Sequence, residues 1–89
     1  MPVVYILQLQ QGKKYVGYTN NYKQRLKAHF NGNGSKVTKK YKPLSIIKTI
    51  PCFSKSYGLV VEKNVTLTLA KIYGWSNIRG SCWCNSLNF

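Results

Sequence analysis

Two apolar stretches open the chain, Val3 to Leu9 and Tyr15 to Tyr18, the second preceded by Lys13-Lys14. Both are rich in β-branched and aromatic residues, the composition of strands. Gln10-Gln11-Gly12 between them predicts a three-residue hairpin loop with Gly12 in the left-handed conformation. That loop length sets a register that pairs Leu9 with Lys13, Leu7 with Tyr15 and Tyr5 with Gly17. Tyr5 and Tyr15 then lie on one face as diagonal neighbours. A two-residue loop would put them on opposite faces.

The pattern then becomes helical. Asn20 or Asn21 is the expected N-cap, and Asn31-Gly32 stops the helix after Phe30. At about 100° per residue, Tyr22, Leu26 and Phe30 are expected to form the buried stripe. Arg25 and His29, four apart, stack on its edge, while Lys23 and Lys27 point away. Ser35 to Lys40 predicts a short helical turn, and Leu44 to Ile50 a third strand bracketed by Pro43 and Pro51. Ser54 or Ser56 caps a long helix running to about Tyr73, with Gly74 at its C-terminus. Glu62 falls on that helix's apolar side with Leu59, Val65, Leu69 and Tyr73. The aromatic, cysteine-bearing tail from Trp75 to Phe89 is expected to pack back onto the rest. With no repeat, linker or low-complexity tract, the expectation is a single domain over residues 1–89. Its expected class is α+β, a small three-stranded antiparallel sheet flanked by helices.

Charge narrows the function. The 89 residues carry 14 Lys and Arg against one acidic side chain, Glu62, for a formal net charge of +13. Such a domain repels itself unless a polyanion is its normal partner. Any chemistry that needs a carboxylate must use Glu62. A hydrophobic fraction of 44% is ample for a packed interior, so this is not a disordered basic tail. No apolar run approaches the ~20 residues of a membrane span, so no membrane role is expected. The opening Met-Pro-Val-Val-Tyr has neither a basic leader nor a small-residue cleavage site, and the cysteines number three. Together these predict reduced thiols in an intracellular compartment, cytoplasm or nucleus. Cys82 and Cys84 supply two ligands where structural zinc wants four, so the cysteines are expected to be packing residues.

The order of chemistry-bearing residues is more specific. Val3-Val4-Tyr5 on one strand and Tyr15-Val16-Gly17 on the next precede Arg25-Leu26-Lys27-Ala28-His29 on a helix and Glu62 on a later one. This set resembles the GIY-YIG nuclease superfamily, over about Val3 to Cys84. Val3 stands where the family usually has glycine, a backbone position and not a reacting group. The family's later asparagine is matched by Asn77, and Gly74 to Gly80 looks like small stand-alone members. The resemblance implies Tyr15 as general base and Tyr5 as the residue that orients water or phosphate. It implies Arg25 at the scissile phosphate, His29 as a proton relay or phosphate contact, and Glu62 as the metal ligand.

The residue types suit that chemistry. Phosphodiester hydrolysis needs an activated water and charge stabilisation in the transition state. One glutamate serves one Mg²⁺ or Mn²⁺ ion and is too little for a two-metal site. Arg25 can bond phosphate bidentately. Nearby cations would stabilise a Tyr15 phenolate against its ordinary pKa of ~10. Lys13, Lys14, Tyr18, Lys36, Lys39, Lys40, Lys42 and Asn77 are the expected DNA contacts. Read blandly, Tyr5 and Tyr15 are strand aromatics, Arg25 and His29 a solvated helix edge, and Glu62 a structural ion pair. Two rival functions use the same residues, a non-catalytic DNA-binding module and a basic RNA-associated domain. A pure binder has no need of Tyr5, Tyr15, Arg25 and Glu62 together. The expectation is therefore a metal-dependent DNA endonuclease, acting as a monomer, as a homodimer or with a targeting partner protein.

Overall fold

A computed structural model describes residues 2–80. Strand β1 (Val3–Leu9) lies inside the sheet with both faces covered, which is why it reads as a continuous apolar run. It turns through Gln10–Gly12 into β2 (Lys14–Thr19). Both Gln11 (φ 60°) and Gly12 (φ 73°) are left-handed in this turn, and the Leu9 amide donates to the Lys13 carbonyl at 2.8 Å. The register is the one the loop length dictates, with Leu7 opposite Tyr15 and Tyr5 opposite Gly17.

Helix α1 (Tyr22–Phe30) is capped by Asn21, whose side chain accepts from the Gln24 amide. Helix α2 (Lys36–Lys40) is capped by Ser35 in the same way, through the Thr38 amide. Strand β3 (Pro43–Pro51) returns antiparallel to β1, and α3 (Lys55–Tyr73) is capped by Ser54 and ends at Gly74, whose φ is 85°. Pro43 and Pro51 sit at the two ends of β3, which is an edge strand among the described residues.

The sheet corrects the expected architecture. Among the described residues it has four strands in the order β3-β1-β2-β4, not three, and it is mixed. The added strand, β4 (Ile78–Gly80), pairs in parallel with β2 and sets Tyr15 opposite Arg79. Three residues are too few to show a two-residue period, so nothing in Ile78-Arg79-Gly80 announces a strand. It is placed from outside, by the Lys14 amide donating to the Asn77 carbonyl at 2.7 Å and by packing against α3. The fold remains α+β. The rest of the expected tail packing, together with Cys82 and Cys84, lies outside the described residues.

Two cores result. On one face Tyr5, Leu7, Leu9 and Tyr15 pack with Leu26 of α1, Val37 of α2 and Tyr41. On the other, Val4, Ile6, Val16 and Cys52 pack against Val61, Val65 and Leu69 of α3. Two stripe assignments change. His29 is fully buried and Phe30 is exposed, the reverse of the expectation for α1. On α3, Glu62 is half-buried as its stripe predicts, but Leu59 and Tyr73 are turned to solvent.

Candidate active site

The first core is unusual in being built from polar rings. The Tyr5 and Tyr15 ring centroids lie 6.5 Å apart, and the His29 ring sits 5.6 Å from the first and 5.4 Å from the second. Strand pairing places the tyrosines and α1 supplies the histidine. Room for the Tyr5 ring comes from Gly17, its cross-strand partner. A Cβ at that position would fall 2.3 Å from the Tyr5 Cζ and hydroxyl oxygen, so the phenol can cross β2 only over a glycine.

The buried polar atoms form one chain of bonds. The Thr38 hydroxyl donates to the Ser35 carbonyl (3.1 Å), so its oxygen is left to accept from His29 Nδ1 (2.9 Å). That fixes the proton on Nδ1 and leaves Nε2 as an acceptor for the Tyr5 hydroxyl at 2.7 Å. The imidazole is neutral at pH 7: burial, then the Arg25 charge, pushes its pKa down to about 4.

Arg25, one turn before His29 on α1, is half-buried and lies within hydrogen-bonding reach of both tyrosine hydroxyls. Burial alone would lower its pKa. The Tyr5 hydrogen bond and the negative charge available on Tyr5 and Tyr15 outweigh that, and the net shift is upward. Burial, with the Tyr15 charge, holds the Tyr5 phenol well above the ordinary phenol range; Arg25 opposes that shift, and Glu62 adds to it.

Glu62 reaches this cluster from the other side. Its helix packs on the Val4 face, opposite the tyrosines. Gly58, one turn earlier, lies against the Tyr18 ring, and Thr66, one turn later, lies against Gly80 at the end of β4. Glu62 is therefore level with Gly17, one residue beyond the last β2–β4 pair among the described residues, Val16 with Gly80. Gly17 puts no side chain between the faces there, and the Glu62 charge adds the smallest of the influences on the Tyr5 phenol, an upward one.

The expected DNA contacts divide into two groups. Lys36, Lys39, Lys40 and Lys42 are exposed on and beside α2, whose inner side carries Thr38 against His29. Lys40 also lies 5.5 Å over the Tyr41 ring, and the remaining expected contacts are turned inward. The Lys13 ammonium donates to the Ser76 carbonyl (2.8 Å) and Asn77 Oδ1 (3.3 Å), and Lys14 lies 4.2 Å over the Tyr73 ring. Asn77 Nδ2 donates to the Tyr73 carbonyl (2.9 Å), and Tyr18 packs against α3. Lys13, Lys14 and Asn77 tie the end of α3 and the start of β4 to the hairpin, and Tyr18 lies at the first turn of α3.

Thr38 and Ser35 are site residues that sequence reasoning missed. Their one visible signal is a polar N-cap followed three residues later by threonine, in a helix whose lysines draw the attention. Among the described residues, no helix is long and apolar enough to cross a membrane, and no group of three or more His, Cys, Asp or Glu is placed to hold a metal ion.

The comparison with protein families decides the affiliation. The GIY-YIG catalytic domain model matches residues 1–79. This chain belongs to the GIY-YIG family. It is similar to UPF0213 proteins of Bacillus licheniformis (42% identical over 50 residues), Halalkalibacterium halodurans (39% over 62) and Oceanobacillus iheyensis (34% over 62). These matches cover 56%, 70% and 70% of this chain and 50%, 66% and 72% of the relatives. The chain thus spans about half the length of the first of them. No solved structure matches it. GIY-YIG domains are nuclease domains, which implies nucleic-acid binding, and nucleases of the family generally use divalent metal ions.

Proposed function

We propose that this GIY-YIG chain is a metal-dependent endonuclease that hydrolyses DNA phosphodiester bonds. The observation that carries the reading is the Arg25 guanidinium set against two buried phenols, Tyr5 and Tyr15, the first of which also feels the charge of Glu62. A packing core has no use for that combination. A guanidinium beside paired phenols suits a pentavalent phosphoryl group, whose equatorial oxygens accept from its planar fork.

The donor set fits a hard divalent cation. Glu62 offers carboxylate oxygen, the donor chemistry of Mg²⁺ or Mn²⁺, which keep water and phosphate as their other ligands. Such an ion, when bound, supplies Lewis-acid stabilisation of the phosphate charge. The remaining work falls to the chain. Tyr15, within hydrogen-bonding reach of Arg25, takes the proton of the attacking water as its oxygen closes on phosphorus and the bond to the leaving oxygen breaks. Tyr5 orients the water, and His29 holds Tyr5 in place.

A second assignment has its own observation. The Tyr5 hydroxyl already donates to a neutral imidazole, so Tyr5 can accept the water's proton while passing its own to His29 Nε2. That route needs no phenolate beforehand. Single-turnover rates separate the two: the phenylalanine variant of the true base loses ~10²-fold or more, the lower range for general-base removal. The reading as a whole is tested by nicking of supercoiled plasmid with Mg²⁺ and with EDTA. Relaxation in the first alone is expected. Tight binding with no nicking in either would make the protein a non-catalytic DNA binder.

A further inference from the structure

We propose that Phe53 and Tyr57 form a stacking platform for an unpaired nucleobase of the substrate strand, next to the cleavage site. The proposal rests on the nuclease reading and adds a substrate preference to it. Phe53 is 81% exposed and Tyr57 44%, and their rings are stacked on each other at 4.6 Å with 22° between planes. An exposed phenylalanine forgoes roughly 2 kcal/mol of burial, so its presentation asks for a partner.

The backbone on both sides of Phe53 is held. Cys52 before it is buried, and its amide donates to the Pro2 carbonyl at 2.8 Å. Ser54 after it caps α3, its hydroxyl accepting from the Tyr57 amide at 3.1 Å. The outer ring is thus presented from a fixed backbone, with one face on Tyr57 and the other to solvent.

Charge and position select the occupant. Lys55 lies exposed between the two rings in sequence, and the chain's one acidic side chain, Glu62, is already committed to the site. Aromatic faces among cations are what single-stranded nucleic acid binds, each base contributing a π-face and each phosphate a charge. Tyr57 precedes Glu62 by five helical residues, about 8 Å along the axis of α3 and roughly 140° around it, so the two are near in height and leave different sides of the helix. Gly58, beside Tyr57, packs on Tyr18, the residue after Gly17. The platform therefore stands at the end of the sheet where the Tyr5 phenol crosses. A base inside an intact duplex has both faces covered by its neighbours. Only an unpaired, terminal or extruded base has a face to offer Phe53.

The test uses the full chain in EDTA, so that binding is read without cleavage. The probes are a single-stranded oligonucleotide carrying one 2-aminopurine and a relaxed, covalently closed circular duplex, which has neither ends nor unpaired bases. Wild-type protein should quench the 2-aminopurine on binding. Phe53→Leu stays apolar and loses the ring; it should abolish the quench and weaken single-strand binding about tenfold, while affinity for the closed circle stays within about twofold. Phe53→Trp should keep the quench. Equal losses on both probes, or no loss on either, overturn the platform, and unchanged DNA binding with altered self-association would assign the rings to a protein contact instead. Wild-type protein that binds neither probe overturns the nuclease reading along with the platform. Binding of both without a quench overturns the platform alone.

Discussion

Val4 and Tyr5 are neighbours in the chain and point into two differently built interiors. On the Val4 side, Ile6, Val16, Val61, Val65 and Leu69 make an apolar core of the ordinary kind. On the Tyr5 side, two phenols, an imidazole, a guanidinium and a threonine hydroxyl share the space with Leu7, Leu9 and Leu26. No buried side-chain nitrogen or oxygen among the described residues is left without a partner. An apolar core tolerates small volume changes because dispersion contacts are many and weak. A buried polar network is held by few, directional bonds, and removing one strands another. The difference teaches where function and stability are coupled in this molecule: on the Tyr5 side a substitution should disturb both, and on the Val4 side stability alone.

The widest separation should come from Arg25→Lys. A lysine retains the charge but cannot bond two phenols and a phosphate with one planar fork, so cleavage should fall at least ~10²-fold in single-turnover assays. The next effect is on stability. His29 has a folded-state pKa near 4, below its ordinary 6.5, so the unfolded chain binds the extra proton between those values. Its contribution is complete above pH 6.5 and is lost as pH falls towards 4, amounting to about 3 kcal/mol over that window. Denaturant titrations from pH 7 to pH 4 should show this slope, and His29→Gln should flatten it.

Thr38→Val should have a smaller, more particular effect. It preserves shape but removes the acceptor that keeps the His29 proton on Nδ1. We expect a loss of about 1–2 kcal/mol in stability and about tenfold in rate. Histidine ¹⁵N NMR should show the tautomer populations change, and Thr38→Ser should restore them. The mildest change lies across the sheet. Ile6→Val should cost about 1 kcal/mol and leave the cleavage rate unaltered. A rate loss there matching that of Thr38→Val would erase the contrast between the two cores.

Much of this arrangement was legible in the chain. The hairpin register followed from a three-residue loop, and capping chemistry placed the starts of α1 and α3 to within a residue or two, at Asn20 or Asn21 and at Ser54 or Ser56, of which Asn21 and Ser54 are the caps. The motif residues were legible too, because a unique histidine and a unique acid fell in family order. What escaped notice has specific causes. Reading α1 by hydrophobicity put Phe30 in the stripe, yet at 100° per residue His29 lies about 20° from Tyr22 and Phe30 about 80° away. Position outweighed apolarity because Tyr5 and Thr38 satisfy the imidazole inside. Strand β4 was invisible because three residues carry no period. The internal partners of Lys13, Lys14 and Asn77 were hidden because a lysine bound to a carbonyl and one bound to a phosphate have the same sequence signature.

The central claim is that Glu62, reaching the phenols past Gly17, makes this cluster a hydrolytic site and not a polar core. Glu62→Gln tests it most directly, measured for plasmid nicking in Mg²⁺ and for DNA affinity in EDTA on the same preparation. The account predicts a rate loss of ~10³-fold or more, with affinity unchanged or tightened because a negative charge facing phosphate has been removed. Nicking at close to the wild-type rate by a folded Glu62→Gln protein would contradict it.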